Sequence, residues 1–304
     1  MRKDLWTVVL AAGAGRRLAG VTGGVPKQFW SAGGARTLLE DTLARVAPLS
    51  SPSHTVIVVD HRHQPFVEAL PALRRFDHIL YQPCDRGTAA GVLLALIEVQ
   101  ATDPDAMVLL TPSDHGFARP DIFEAGIRQG VAAVDAEPDA VVLFGVQPTS
   151  AEGDYGWIEP EPARHGVRLR RVASFVEKPS APVARRLFES GAVWNTMVLV
   201  AHVRTLMALY RRHLPDLEAV FWHTHHVKHH DRAAAMHERY EIVPVADLSH
   251  DLLGVAAGLS VQIWPKAIGW TDLGTPDRLD RWYRPGRAQT GASRRARSQV
   301  LRSA

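Results

Sequence analysis

Apolar residues along this chain fall into short unbroken runs separated by stretches with helical spacing. Trp6 to Leu10, Thr55 to Val59 and Met107 to Thr111 are continuous and rich in β-branched side chains, which predicts buried strands. A further strand is expected at 140–145, and a short one at 79–81. Between them, Leu38, Leu39, Leu43 and Val46 recur at helical spacing and predict a helix over 37–47. Helices are also expected over 64–74, 89–100 (capped by Thr88) and 122–134. Beyond residue 150 the pattern changes. Tyr155 to Glu159 and Arg170 to Lys178 read as strands joined by a turn at 160–166. Then come a helix over 181–190, a strand from Trp194 to Val200, a helix over 203–213 and a short strand from Gln262 to Trp264.

Strands that alternate with helices and lack in/out alternation belong to a mostly parallel sheet covered on both faces. The fold class predicted is α/β, Rossmann-like, with helices flanking the sheet. Neither a linker nor a repeat interrupts the chain before residue 285, so the second half is expected to form a lobe on the same sheet. That gives one domain over 1–285 and a tail over 286–304. Ligands of such sheets bind beyond the carboxyl ends of the strands. The loop 11–17, the segment 82–88 and Asp114 all follow strand ends and should meet on one rim.

Composition narrows the class. Of 304 residues, 46% are hydrophobic and 22% charged, as in an ordinary globular protein. No apolar run approaches the ~20 residues of a membrane helix. The start of the chain is charged and carries no apolar signal segment, so no membrane partner is expected. Cys84 is the only cysteine, which excludes an intrachain disulfide and fits the cytoplasm. The net charge of +3 resides in the tail, where 286–304 holds five arginines and no acid; the rest is at −2. A nearly neutral body argues against nucleic acid as a partner, and the Gly/Ser/Ala/Arg tail reads as disordered.

The candidate chemistry starts at the end of the first strand. Ala11, Ala12, Gly13, Ala14 and Gly15 are small enough to let a ligand reach backbone N–H groups. Arg16, Arg17 and Lys27 add fixed cations, a combination suited to a polyphosphate. A dinucleotide fingerprint needs a third glycine where Leu18 stands, and no GxxxxGK[ST] is present. The alternative for the two glycines alone is a tight strand-to-helix turn. Asp114 and Asp272 lie in separate loops. Mg²⁺ takes one or two carboxylates with phosphate oxygens and waters, so two such aspartates suit it, although each alone could be a loop cap. No Ser/His/Asp arrangement for nucleophilic catalysis is apparent.

Several segments, in order, carry a family resemblance: Leu10-Ala-Ala-Gly-Ala-Gly-Arg16 with Pro26-Lys-Gln28; Gln82-Pro-Cys-Asp-Arg-Gly-Thr-Ala89; Thr111-Pro-Ser-Asp-His115; Tyr155-Gly-Trp-Ile-Glu159; Phe175-Val-Glu-Lys-Pro179; Trp194-Asn195; and Gly269-Trp-Thr-Asp-Leu-Gly274. Together they resemble the mannose-1-phosphate guanylyltransferases (GDP-mannose pyrophosphorylases) among the sugar-phosphate nucleotidyltransferases, over about residues 5–282. The resemblance implies transfer of a nucleotidyl group from an NTP to a sugar 1-phosphate, with GTP and mannose 1-phosphate as expected substrates and Mg²⁺ as cofactor. It implies that Arg16 and Lys27 hold the NTP phosphates and that the loop with Gly13 and Gly15 admits them. Ala11 and Ala12, with Gln82, Gly87 and Thr88, would contact the base. Asp114 and Asp272 would hold the metal, Gly156, Glu177 and Asn195 the sugar, and Lys178 the phosphate of the sugar 1-phosphate. Arg16, Lys27, Asp114 and Lys178 are thus the expected catalytic set. The chain departs from the family pattern at Ala89-Ala90-Gly91, at Gly87 and at Met197, which bears on base and sugar identity more than on the reaction. Ser249-His250-Asp251 falls near a family Ser-x-Asp segment. Another NTP or sugar is the alternative within this chemistry; a silent sugar-nucleotide-binding regulator is the alternative outside it. Oligomeric state is not set by sequence, and a homodimer is admitted.

Four other features compete for attention. His223, His225, His226, His229 and His230 have spacings that a zinc site could use, but Lys228 among them opposes a cation and a solvated helix face is the simpler reading. Cys84 reads as a small residue packed beneath the base segment. His115 reads as structural or near the ribose. Of eight tryptophans, Trp157 and Trp270 stand inside motifs.

Overall fold

The computed structural model describes residues 5–32, 36–162, 169–225, 238–240 and 242–283, with the backbone alone for 222–225. Eleven strands are formed among these residues: β1 (Leu5–Ala11), β2 (Thr55–Asp60), β3 (His78–Gln82), β4 (Met107–Pro112), β5 (Gly116–Phe117), β6 (Val141–Val146), β7 (Trp157–Pro160), β8 (Leu169–Val176), β9 (Val193–His202), β10 (Ser260–Trp264) and β11 (Trp270–Thr271). Nine join one sheet in the order β3-β2-β1-β4-β9-β6-β10-β8-β7, so strands of both halves of the chain share it.

The parallel character predicted from the unbroken apolar runs holds across β3-β2-β1-β4 and again between β6 and β10. β9 enters between β4 and β6 antiparallel to both, and the β7, β8 and β10 edge is antiparallel as well. Strand direction leaves no mark on hydropathy once both faces are covered, so the pattern could not report this.

Among the described residues the α-helices of five residues or more are α1 (Leu38–Val46), α2 (Gln64–Glu68), α3 (Gly87–Thr102), α4 (Pro120–Ala136), α5 (Ala181–Glu189), α6 (Val203–His213), α7 (Pro215–His225) and α8 (Pro276–Tyr283). α3 is apolar on nearly every side because it lies between the sheet and α6; Ala89 to Val99 pack with Trp6, Val8, Val56, Val58, Val108 and Tyr210. The opposite face of β1 and β2 is covered by Leu39, Leu43 and Phe29. Further along, Phe123, Ile127 and Val134 of α4 cover β4, β6 and β9. α1 starts on a capping box: Thr37 Oγ1 accepts from the Glu40 N–H, and the Thr37 N–H donates to Glu40 Oε2.

Two local expectations are corrected. The helix expected over 64–74 ends at Glu68 and resumes as a 3₁₀ turn over Pro71–Arg75, because Pro71 lacks the N–H that a continuous helix requires. Thr88 does not cap α3, which begins at Gly87; its hydroxyl instead donates to Asp247 Oδ2 and accepts from the Leu248 N–H. A further element escaped the hydropathy pattern altogether. The two-residue strands β5 and β11 pair antiparallel, Thr271 opposite Gly116 and Trp270 opposite Phe117. This ribbon brings the loop after β4 to the loop carrying Asp272.

Candidate active site

The rim is built first at the end of β1. The Ser113 N–H donates to the Leu10 carbonyl, so the loops after β1 and β4 leave the sheet side by side. Gln28 then fixes the glycine loop, its Nε2 donating to the carbonyls of Ala11 (2.6 Å) and Gly13 (3.1 Å). Gly15 has φ 60°, and a Cβ there would lie 3.0 Å from the Lys27 nitrogen, so a side chain is excluded by conformation and by space. Gly13 is different: a Cβ on it would meet nothing within 4 Å. The fold does not need that glycine, whereas close approach of a ligand would. Arg16 is exposed and makes no ion pair among the described residues. Arg17 reaches Asp154 at 3.9 Å.

Lys27 joins the two predicted metal ligands. It is 6% exposed, its Nζ pairs with Asp114 Oδ2 at 2.9 Å, and it donates to the Asp272 backbone carbonyl. Burial pushes the Asp114 carboxyl up, and the charge and hydrogen bond of Lys27 offset this, so it is held below its ordinary range. Asp272 Oδ1 accepts from Tyr155 Oη (3.1 Å), the Gly274 N–H (3.0 Å) and Arg278 (3.3 Å); among the described residues Oδ2 accepts only from Arg278, at 3.2 Å. Arg278 is buried, pairs with Glu152 at 2.6 Å and lies over the Tyr155 ring at 4.5 Å. Burial beside Asp272 raises the Tyr155 phenol well above its usual value, so it stays a donor. Each aspartate therefore keeps an oxygen with unused capacity, as a two-carboxylate Mg²⁺ site needs. Among the described residues no group of three or more His, Cys, Asp or Glu gathers to form an all-protein cage.

The predicted sugar contacts converge. A Cβ on Gly156 would lie 2.5 Å from Glu177 Oε2 and 3.3 Å from Asn195 Cβ, and the Asn195 N–H donates to the Gly156 carbonyl at 2.7 Å. Lys178 is exposed and pairs with Glu177 at 3.0 Å. Burial raises the Glu177 carboxyl, against the Lys178 charge. Among the described residues three non-glycines have left-handed backbone: Lys178 (φ 43°), Met197 (φ 60°) and Leu273 (φ 50°). All three adjoin predicted site residues. Such conformations cost of order 1–3 kcal/mol and cluster where function demands them.

The base segment is held by a part of the chain that sequence reasoning passed over. Gly87 has φ 82°, and a Cβ there would lie 2.2 Å from the Ala246 carbonyl oxygen, which also accepts the Ala89 N–H at 3.0 Å. Gln82 donates through Nε2 to Tyr240 Oη, and its amide lies 2.8 Å from where a Gly91 Cβ would stand. Gln82 is thus buried between α3 and Tyr240. Asp247 links Thr88 to a π-helical turn over Leu248–Leu253, which it caps through the Ser249 and His250 N–H groups. Asp251 accepts from the Asp247 N–H and from His250. Neither Tyr240 nor Asp247 lies in a recognisable motif. Gln28, Tyr155 and Arg278 adjoin or lie within quoted segments, and their polarity beside those residues was the available signal.

The remaining features sort plainly. Asp60 is occupied by Arg62, which bonds both its carboxylate oxygens. Cys84 Sγ faces the Tyr240 carbonyl at 3.9 Å, beneath the base segment. His115 packs edge-on to Trp270 and accepts from its indole N–H at 3.3 Å; burial lowers its pKa to about 4, so the ring is neutral. Trp157 is core, and Trp270 lines the Tyr155–Trp194 aromatic cluster. His226, His229 and His230 lie outside the described residues, as do the tail and the side chains of His223 and His225. Among the described residues no helix is long and apolar enough to cross a membrane.

Comparison with known proteins gives three findings. A family model described as nucleotidyl transferase matches residues 6–282. Among curated proteins, the xanthan biosynthesis protein XanB of Xanthomonas campestris is 32% identical over 219 residues, 70% of this chain and 45% of that protein. Mannose-1-phosphate guanylyltransferase 2 of Escherichia coli O157:H7 is 27% identical over 297 residues, 93% of this chain and 60% of that protein. The chain spans about half the length of the curated relatives it matches. A solved structure described as mannose-1-phosphate geranyltransferase from Thermus thermophilus superposes with a TM-score of 0.79 at 29% identity, covering 91% of this chain and 78% of that one.

Proposed function

The chain belongs to the nucleotidyl transferase family, and from that premise we propose that it joins an NTP to a sugar 1-phosphate, releasing pyrophosphate, with GTP and mannose 1-phosphate as the substrates. The observation that carries this reading is the meeting of two half-sites on one sheet rim. Lys27 ties the glycine loop to Asp114 and Asp272, and Tyr155 links Asp272 to its neighbour Gly156, against which Glu177 and Asn195 pack. The names of the curated relatives favour GTP and mannose 1-phosphate over other pairs. The cytoplasm, where GTP is supplied, is the expected compartment.

The chemistry asks the protein for placement and charge. An oxygen of the sugar 1-phosphate is already anionic, so it attacks the α-phosphorus of the NTP without a general base, and pyrophosphate leaves in line. Arg16 and Lys27 offset the charge growing on the departing pyrophosphate, and Lys178 holds the attacking phosphate. Ala11, Ala12, Gly13 and Gly15 admit the triphosphate to backbone N–H groups. Gln82, Gly87 and Thr88 shape the base site. Asp114 and Asp272 would hold Mg²⁺, which when bound supplies charge neutralisation between the two phosphate groups.

The test is a panel of each NTP with several sugar 1-phosphates in the presence of Mg²⁺, read as pyrophosphate release. The reading expects the highest kcat/KM with GTP and mannose 1-phosphate. Preference for ATP or UTP overturns the substrate assignment. Binding of sugar nucleotides with no release from any pair favours a regulatory protein instead.

A further inference from the structure

Met197 is an anomaly in strand β9. The register of β6 against β9 shifts between Phe144 and Gly145: Phe144 faces Val198 and Gly145 faces Asn195. Thr196 and Met197 are therefore extra residues in a bulge. Bulges re-aim a side chain and favour the neighbourhood of active sites. Thr196 is anchored in the interior, its hydroxyl donating to the Phe144 carbonyl at 2.5 Å. Met197 takes φ 60°, a conformation that a flexible unbranched side chain adopts only at a cost.

The contacts of Met197 show what that conformation achieves. Its N–H donates to Asn195 Oδ1 at 3.2 Å, while Asn195 Nδ2 faces its Sδ at 3.6 Å. Both ends of the Asn195 amide are thus engaged by one residue. The same Sδ accepts from Ser249 Oγ at 3.0 Å. Ser249 is buried on the π-helical turn that Asp247 caps. A thioether therefore fills the space between Asn195 and Ser249 and takes one donor from each.

We propose that Met197 determines sugar specificity. This rests on the reading of Gly156, Glu177 and Asn195 as the sugar subsite. A thioether cannot donate and accepts weakly. A sugar hydroxyl pressed against it loses water and gains almost nothing, whereas a C–H edge packs well. The subsite takes a sugar 1-phosphate that turns hydrogen toward Met197, and it rejects the epimer that turns a hydroxyl there.

The experiment compares wild type with Met197→Gly and Met197→Asn. Glycine relieves the backbone and removes the thioether; asparagine tolerates the left-handed conformation and supplies polar atoms. Each protein is assayed with GTP, Mg²⁺ and mannose 1-phosphate or its C2, C3 and C4 epimers. The expected result is that both variants raise kcat/KM for one epimer, relative to mannose 1-phosphate, by about tenfold. The KM for GTP should stay within about twofold of wild type, which separates a specificity role from general damage to the fold. Epimer ratios that match wild type within about twofold in a folded variant overturn the proposal. If wild type turns over no sugar, the transferase reading fails separately. The ratio is then read from equilibrium binding of the four sugar phosphates, and an unchanged binding preference overturns the role of Met197. Should Met197→Gly not fold, Met197→Asn carries the same two outcomes.

Discussion

In the parallel half of the sheet, β3-β2-β1-β4, the rim offers the backbone of Ala11, Ala12, Gly13, Gly15 and Gly87, with the Lys27–Asp114 pair at its edge. In the antiparallel half the rim is lined by Glu177, Lys178, Asn195 and Met197, which offer side chains held by each other and by their neighbours. The cost falls differently. Gly15 and Gly87 take positive φ as glycines, with little penalty; Lys178, Met197 and Leu273 take it as ordinary residues. On the proposed function, the half that admits a triphosphate is made by leaving side chains out, and the half that reads hydroxyl positions by forcing side chains in.

The comparison breaks most visibly at the junction of the halves. Asp114→Asn removes the charge paired with Lys27 and one proposed metal ligand. It should lower kcat/KM about a thousandfold, checked by pyrophosphate release, with the protein still folded by circular dichroism. A rate within tenfold of wild type would show that the two halves are not joined at Asp114. Gly87→Ala meets the Ala246 carbonyl and a left-handed backbone, and should destabilise the protein by about 2 to 4 kcal/mol in denaturant titration. Arg278→Leu leaves Glu152 without its ion pair and removes three hydrogen bonds around Asp272 and Glu152; about 2 to 3 kcal/mol of stability should go with it, along with most of the activity. Gly13→Ala sharpens the comparison. Nothing in the fold occupies the space its Cβ would enter, so the melting temperature should hold while the KM for GTP rises about tenfold or more.

The smallest effect is a pH dependence confined to the parallel half. His63 is buried, and its ring faces Gln28 Nε2 at 3.3 Å. Burial lowers its pKa, with Asp60 opposing. A group whose folded pKa lies below its unfolded value near 6.5 contributes stability that is complete above that value and lost as pH falls toward the folded pKa. Denaturant midpoints should therefore decline below about pH 6.5, with buried His115 adding its own share, and His63→Phe should make that decline shallower.

How much was legible follows the same division. β1, β2 and β4 are buried on both faces, so their apolar runs declare them, and the loop that follows β1 carries the glycines and cations that read as a phosphate site. β8 is only partly buried and its residues carry no clean alternation, so the lobe could be outlined but not paired. The ribbon of β5 and β11 is two residues long on each side, below any periodic signal, yet it delivers Asp272 to Asp114. Tyr240 and Asp247 brace Gln82 and Thr88 from about 160 residues away in the chain, and a contact that distant leaves no spacing to read. The bulge at Met197 depends on the register of two strands and was visible only once they were paired.

The most direct test of the account follows the oxygen that joins the two half-sites. Mannose 1-phosphate labelled with ¹⁸O in its non-bridging oxygens is incubated with GTP, Mg²⁺ and the protein, and the products are examined by ³¹P NMR. Attack of the sugar phosphate on the α-phosphorus predicts label in the bridging oxygen of GDP-mannose and none in pyrophosphate. Label in pyrophosphate, or loss of GTP that does not require the sugar phosphate, would contradict it.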